Sequence, residues 1–442
     1  MTFSDLNINT PLFNALTDMG LQHPTTIQHR AFPVVMAGRN VVGIAQTGTG
    51  KTIAYLLPIL RQLEFSKKND PRVLILVPTR ELVVQVVGEL GKLTKYMDVR
   101  VGGVYGGTNM NTQKVIVTDG LDILVATPGR MLDLAVGGFL RLKAIQKLVI
   151  DEVDEMMDLG FKTQLTNIFD ILPERRQNLL FSATITPEVE DLIAQSFDNP
   201  AKIEAAPMGT PLDKIEQRLY RLPNFNSKIN LLEHLLNEDA TMTKVLVFAD
   251  SKRQADLLFD SMDELFPNAV GIIHSNKSQN YRFGSLRAFA SGQSRILIAT
   301  DLVARGLDIT DVSHVVCFDI PQEAADFIHR IGRTGRADKD GVAIVFATDK
   351  EEEALIQVQA LMQRQIPMLA IPNGVPMSEV LIEDEKPYIP GIRYTQTDVL
   401  KTSQGAFHEK SAKNSKVNLG GSYKRTIKLK FKKPLTRGAK KK

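Results

Sequence analysis

The stretch Ala45-Gln-Thr-Gly-Thr-Gly-Lys-Thr52 constrains this chain more than any other. The apolar run Val41-Val-Gly-Ile44 before it reads as a strand, and Ile53-Ala-Tyr-Leu-Leu57 after it as the start of a helix. A strand, a small-residue loop and a helix N-terminus together form an anion cradle. Backbone N–H groups from Ala45, Gln46, Thr47, Gly48, Thr49 and Gly50 converge on phosphate oxygens, and the helix dipole adds to the attraction. Lys51 then reaches the terminal phosphates of a nucleoside triphosphate, and the Thr52 hydroxyl ligates Mg²⁺. The strict pattern has glycine where Ala45 stands. The bland alternative is a glycine-rich turn with an exposed lysine.

A second landmark is Leu148-Val-Ile-Asp-Glu-Val-Asp154. An apolar strand that ends in carboxylates downstream of a phosphate loop suits metal-assisted hydrolysis. Asp151 at the strand tip can hold Mg²⁺ through water, and Glu152 can orient or deprotonate the attacking water. Asp154 alone could equally serve as a helix N-cap.

Around these landmarks, apolar β-branched runs alternate with helical stretches. One set is Val41–Ile44, Val73–Val77, Ile123–Ala126, Leu148–Ile150 and Asn178–Phe181. A second is Val245–Phe248, Val270–Ile273, Ile296–Ala299, Val315–Phe318 and Val342–Phe346. The alternation predicts two α/β domains with parallel sheets. The Pro/Gly-containing stretch Ala205-Ala-Pro-Met-Gly-Thr-Pro211 joins them. The expected boundaries are 1–207, a linker at 208–212, 213–370, and a C-terminal extension at 371–442. Only the first domain carries a phosphate loop, so one nucleotide is expected in the cleft between the two.

Charge is distributed unevenly. Residues 401–442 hold 14 Lys+Arg and one acid, Glu409, which leaves 40 bases and 49 acids for the rest of the chain. A mildly acidic body with a strongly basic tail favours a polyanion partner, nucleic acid first. The tail has sparse apolar residues and is expected to be disordered in isolation. Its Tyr423 and Phe431 could stack on bases. No stretch approaches the ~18 apolar residues of a membrane span, and polar Met1–Gly20 predicts no signal peptide. The one cysteine, Cys317, lies in an apolar run and cannot form an internal disulfide, which fits a reducing cytosol. The seven histidines show no zinc-ligand spacing.

Taken in order, the motifs resemble those of the DEAD-box RNA helicases from Phe3 to about Arg336. Gly20-Leu-Gln-His-Pro-Thr-Thr-Ile-Gln28 resembles the adenine-sensing Q motif, with Phe3 as its upstream aromatic. Ala45–Thr52 and Asp151–Asp154 resemble motifs I and II, and Ser182-Ala-Thr184 motif III. Pro78-Thr-Arg-Glu-Leu82, Gly106-Gly107 and Thr127-Pro-Gly-Arg130 resemble the first lobe's RNA-contacting motifs. Val247-Phe-Ala-Asp-Ser251 and Gln279-Asn-Tyr-Arg282 resemble motifs IV and IVa. Ala299-Thr-Asp301 through Ala304-Arg-Gly-Leu-Asp308 resembles motif V, and His329-Arg-Ile-Gly-Arg-Thr-Gly-Arg336 motif VI.

The resemblance implies two tandem RecA-like domains and an ATP-dependent RNA helicase, cytoplasmic, with ATP and Mg²⁺ as cofactors. Gln28 would pair with the adenine edge and Phe3 would stack on the base, with packing on the first helix as its alternative. Gly306 and Asp308 would line the nucleotide site, Asp308 at the ribose. Ser182 and Thr184 would relay motif II to lobe closure. Arg333 and Arg336, three apart, would share a helical face and serve as arginine fingers. Arg80, Gly107, Thr127, Gly129, Arg130, Arg282 and Thr300 would line the RNA track, with arginines neutralising phosphates and little sequence preference. Ribosomal or RNA-decay complexes are open as partners. A DNA translocase and a non-catalytic RNA clamp are the rival readings. The Q motif and the form of motif VI argue against the first. Intact Lys51, Glu152, Arg333 and Arg336 argue against the second. Three departures stand out: Val153 in place of Ala, Thr26 in place of Pro, and a divergent Ser275-Asn-Lys277.

Overall fold

A computed structural model describes residues 2–45, 48–205, 215–301, 312–335 and 341–386. Its first lobe is a seven-stranded sheet in the order β3-β4-β2-β5-β6-β1-β7. The strands are β1 (Val41–Ile44), β2 (Val73–Leu76), β3 (Val101–Val104), β4 (Ile123–Ala126), β5 (Lys147–Ile150), β6 (Gln177–Ser182) and β7 (Ala201–Glu204). The second lobe is a six-stranded sheet in the order β10-β11-β9-β12-β13-β8. Its strands are β8 (Ile215–Arg221), β9 (Val245–Phe248), β10 (Val270–Ile273), β11 (Ile296–Ala299), β12 (His314–Cys317) and β13 (Gly341–Ala347). Every neighbouring pair is parallel.

Parallel strands require crossover helices, which cover both faces of a sheet. Each lobe accordingly has two apolar cores, one per face. Central strands such as β2, β4, β9 and β11 are buried at every position. That double burial is why they read as unbroken apolar runs.

The register brings three strand ends together. Ile44 of β1 pairs with Ser182 of β6, and Ile150 of β5 with Leu180 of β6. The loops that leave β1, β5 and β6 therefore emerge side by side at the carboxyl edge of the sheet, the position where open α/β sheets take their ligands. These loops carry Ala45–Thr52, Asp151–Asp154 and Ser182–Thr184.

The second lobe extends past the boundary expected at residue 370. Residues 367–369 pair with the free edge of β8, Leu219 N donating to Pro367 O (2.9 Å) and Leu369 N to Leu219 O (2.9 Å). Ile371, Val375 and Ile382 then pack on the core, and side chains of the helix Phe225–Glu238 hold the backbone that follows. Asn230 Nδ2 donates to Pro376 O (2.7 Å) and Asn226 Nδ2 to Val380 O (2.8 Å), while the helix's first N–H, from Phe225, donates to the Glu385 side chain at Oε1 (2.6 Å). The proline-punctuated segment lacks periodicity because its partners come from another element instead of its own ladder. Residues 371–385 thus belong with the lobe. The linker at 208–212 and the basic segment 401–442, with Tyr423 and Phe431, lie outside the described residues.

Candidate nucleotide site and nucleic-acid face

The phosphate loop ends at Gly50, whose φ of 89° makes it the left-handed N-cap of the helix Lys51–Gln62. A Cβ there would lie 2.3 Å from the Gln28 amide nitrogen, so both backbone and space require glycine. Gln28 is buried and uses both ends of its amide. Its Nε2 donates to Gly50 O (3.2 Å), while its Oε1 accepts from Thr25 N (2.9 Å) in a capping box. Thr26, where proline was usual, simply occupies the first position of that helix. Ala45 is buried, and its N–H donates to Ser182 O (3.0 Å), tying the loop's start to β6. Gly48 is exposed, Thr49 and Thr52 are half-buried, and Gln46 and Thr47 lie outside the described residues. Phe3 is only 2% exposed and belongs to the apolar core. Its enclosed ring favours the packing alternative over base stacking.

Lys51 and three carboxylates form one buried cluster. Lys51 Nζ lies 2.6 Å from Glu152 Oε2. Burial works against the ammonium, but Glu152, Asp151 and Asp154 outweigh it and hold Lys51 above its ordinary value. Asp151 Oδ2 accepts from the Tyr55 hydroxyl (3.0 Å), and Oδ1 accepts from Glu152 N (3.0 Å). Burial and the neighbouring Glu152 raise the Asp151 carboxyl to about 7, against the pull of Lys51 and Tyr55. Glu152 has φ 50° and ψ 53°, a left-handed conformation that costs a non-glycine residue about 1–3 kcal/mol and tends to mark working sites.

Asp154 behaves differently. Burial again opposes its charge, but Lys51, His329 and donors from Thr184 hold the carboxyl below its usual range. Its Oδ2 accepts from Ala183 N (3.1 Å), Thr184 N (2.8 Å) and the Thr184 hydroxyl (2.9 Å). Of the two hydroxyls expected to contact motif II, Thr184 does so. The Ser182 Oγ is fully buried with no hydrogen-bond partner. Val153 is fully buried in the apolar core of this face.

His329, whose charge acts on Asp154, belongs to the second lobe. The helix Ala324–Ile331 that carries it stops at Gly332. Arg333 is therefore beyond the helix end, 1% exposed, with Nε donating to His329 O (3.3 Å). Arg333 was expected on a helical face and does not sit on one, because the helix terminates first. Arg336, Gly306 and Asp308 lie outside the described residues. Sequence reasoning passed over Arg330, which is 1% exposed. Its Nε and Nη2 donate to the two carboxylate oxygens of Asp301 (2.7 and 2.6 Å), and Nη1 to Asp319 O (2.5 Å). This fork fastens the His329 helix to the ends of β11 and β12.

The residues expected along the RNA track fall into two groups. Arg80 Nη1 donates to Gln279 Oε1 (3.1 Å), Gln279 Nε2 donates to Glu81 Oε1 (3.3 Å), and Arg282 forms an ion pair with Glu81. These four side chains bridge the lobes. Gly107, at φ 78°, gives the Arg80 guanidinium room, since a Cβ would meet Nη1 at 2.1 Å. In the second group, Arg130 Nη1 donates to Gln113 Oε1 (2.5 Å) and Nη2 to Thr108 O (3.2 Å), which braces the loop after Gly107. Thr127, whose N–H donates to Val104 O (3.1 Å), leads into the helix Pro128–Val136, with open space beside Gly129. Thr300 N donates to Ile273 O (3.3 Å) at the end of β11. The arginines were expected to stand ready for phosphates. Arg130 and Arg282 are instead buried and paired within the protein, because desolvated guanidiniums take the nearest acceptors. Gln113 and Gln279 complete this framework; Gln279 opens the stretch that resembles motif IVa, whereas Gln113 carried no distinguishing pattern of its own.

Known proteins fit this geometry. A DEAD/DEAH box helicase family model matches residues 25–192, and a helicase conserved C-terminal domain model matches 227–338. The ATP-dependent RNA helicase RhlB of Shewanella amazonensis is 37% identical over 374 residues, covering 83% of this chain and 84% of the relative. The chain belongs to the DEAD-box RNA helicases. The RhlB of Shewanella sediminis is 36% identical over 390 residues, covering 86% of this chain and 88% of its own. Among solved structures, S. cerevisiae Dbp5 bound to RNA and ADP BeF3 superposes with a TM-score of 0.74 at 30% identity, over 83% of this chain and 94% of that one. Mss116p bound to ssRNA and AMP-PNP gives 0.75 at 26% identity, over 85% and 81%. The fold of this DEAD-box protein is thus two tandem RecA-like domains, and the protein is an ATP-dependent RNA helicase. No helix among its described residues is long and apolar enough to cross a membrane.

Proposed function

We propose that ATP, with Mg²⁺, binds against Ala45–Thr52 and that RNA-driven approach of the two lobes completes the hydrolytic site. Lys51 leaves Glu152 for the terminal phosphates, and Thr52 and Asp151, the latter through water, would hold the Mg²⁺. The hard oxygen donors and the excess of buried carboxylate over Lys51 suit that ion. When bound, it neutralises charge that develops on the transferred phosphoryl group.

The chain's own residues do the rest. Glu152, once Lys51 departs, orients the attacking water. Asp154 and Thr184 convey the state of motif II to β6. Arg333 and Arg336 supply positive charge from the second lobe, and Gln28 senses adenine by exchanging its bond to Gly50 for the base. Gly306 and Asp308 complete the nucleotide pocket. Arg80, Gly107, Thr127, Gly129, Arg130, Arg282 and Thr300 shape a track in which loop backbone meets the RNA backbone. Lobes at 2–205 and 215–385, a connecting segment between them, a basic RNA-tethering tail at 401–442 and a cytoplasmic setting complete the reading. Ribosomal or RNA-decay assemblies are its natural partners.

One observation carries this reading: Lys51, Asp151, Glu152, Asp154 and Thr184 meet at the ends of three adjacent strands, with His329 of the other lobe acting on the same cluster. Steady-state ATP hydrolysis without nucleic acid, with single-stranded RNA, and with matched DNA tests it. Stimulation by RNA alone is expected, and equal rates in all three would overturn the coupling. Deleting 401–442 should weaken RNA binding and flatten its salt dependence while ATP affinity stays unchanged.

A further inference from the structure

We infer that Tyr55 is a positioning residue for the metal-holding carboxylate: its hydroxyl, fixed in the helix that follows the phosphate loop, sets the orientation of Asp151. Tyr55 is the fifth residue of the helix Lys51–Gln62, just past its first turn, and is wholly buried. A buried phenol needs a partner for its O–H, and this one donates to Asp151 Oδ2 at 3.0 Å. The ring is itself held, 5.3 Å from the Phe181 ring on β6 and tilted to it by 50°. The hydroxyl thus has little freedom, and neither has the oxygen that it contacts.

The other Asp151 oxygen is fixed too, by Glu152 N at 3.0 Å. One donor on each oxygen locks the carboxylate plane, whereas a single donor would leave it free to turn. Each oxygen keeps a lone pair for a water of the metal's shell. Outer partners of this kind orient metal-holding groups and typically change affinity 10–100-fold when removed. The arrangement links three elements: the helix that starts at Lys51, the strand end that carries Asp151, and the β6 ring that buttresses Tyr55. A helix that binds the phosphates at its first residue thereby aims the metal's carboxylate from its fifth.

This inference rests on the reading of Asp151 as the group that holds the metal's water shell, and the test separates the two. In the full-length protein, binding of a fluorescent ADP is titrated with MgCl₂, for wild type, Tyr55→Phe and Asp151→Asn. Tyr55→Phe keeps the ring and its packing on Phe181, and thermal melting verifies the fold. The expected result is a half-saturating Mg²⁺ concentration raised about 10-fold in Tyr55→Phe, with the metal-free affinity for the nucleotide unchanged. An unchanged Mg²⁺ dependence, or a lowered one, in Tyr55→Phe while Asp151→Asn shifts it would overturn the role of Tyr55 alone. No shift in Asp151→Asn would overturn the reading of Asp151 and the inference with it.

Discussion

Each lobe buries a lysine among carboxylates at the carboxyl edge of its sheet, yet the two clusters are built for opposite ends. In the second lobe, Lys228 Nζ lies 3.0 Å from Asp319 Oδ1 and 2.9 Å from Glu351 Oε2. Both acids are committed further. Asp319 Oδ2 accepts from Asp250 N (3.1 Å). Glu351 accepts from Ile320 N (2.9 Å), Thr348 N (2.8 Å) and the Thr348 hydroxyl (2.8 Å). Burial opposes the Lys228 charge, but the two acids outweigh it and hold its value up, and the lysine in turn holds Glu351 down. In the first lobe, Lys51 pairs with a single carboxylate, from a loop with positive-φ glycines, and that carboxylate's own backbone is left-handed. A buried lysine–carboxylate cluster is therefore no functional signature by itself. Spare bonding capacity and left-handed backbone at the loop and at Glu152 distinguish the first cluster from the one that holds the fold.

Exchanging each lysine for methionine tests that contrast most severely. Lys228→Met strands two buried carboxylates with nowhere to shed charge, and should cost about 3–5 kcal/mol of stability in denaturant unfolding. ATP turnover per folded molecule should stay at the wild-type level. Lys51→Met should cost under about 2 kcal/mol, because Asp151, already near 7, takes up a proton in compensation. Its turnover should fall roughly 10²–10³-fold. Equal stability losses for the two variants would erase the distinction.

Glu152→Gln sharpens it. The amide preserves volume but cannot balance Lys51 or activate water. A fall in single-turnover hydrolysis of about 10²-fold is expected, with ATP affinity held or improved as Lys51 is released. Hydrolysis at the wild-type rate would move the reaction away from this cluster.

Val153 lies between the working cluster and the core. Its side chain is fully buried in the same core cluster as Ile150, Met156 and Leu165, so the two methyls it adds over alanine fill space in that core. Val153→Ala should lower stability by about 1–2 kcal/mol through a cavity, with turnover retained. A variant that gained both stability and activity would show that valine strains the turn.

What could be read in the chain follows from where burial is complete. Ten strands announced themselves as apolar runs, because flanking helices bury both their faces. The three that did not, β3, β7 and β8, are all sheet edges. Their sequences are Val-Gly-Gly-Val, Ala-Lys-Ile-Glu and Ile-Glu-Gln-Arg-Leu-Tyr-Arg, where glycines or polar residues interrupt the apolar run. In the site, residue types and order pointed to Lys51, Asp151, Asp154 and Thr184, since their chemistry demands those groups. Tyr55 read only as part of a helix start, because nothing local shows that its hydroxyl reaches an acid 96 positions away. Spacing likewise suggested a helix through Arg333, which the Gly332 cap cuts short.

The smallest expected effect concerns the far end of β5. Asp151 follows that strand on the nucleotide side, and Lys147 begins it on the other. The Lys147 ammonium donates to Gln62 Oε1 and Gln177 Oε1, both at 2.7 Å, and burial lowers its value to about 8. Those two amides donate onward to backbone carbonyls of Val35, Met36 and Arg39, so they cannot turn away. Since the unfolded chain holds its proton up to about 10.5, it binds more protons than the folded chain between about pH 8 and 10.5. Stability therefore rises with pH across that window, and the cost of the buried charge is fully present below it. Denaturant unfolding of wild type and Lys147→Met at about pH 7 and about pH 9.5 isolates the effect. The wild type should gain on the variant by ~1 kcal/mol at the higher pH, after discounting for solvent screening. A difference that does not change with pH would mean that the amide pair solvates the ammonium as well as water does, and the two ends of β5 would then differ in function but not in electrostatic cost.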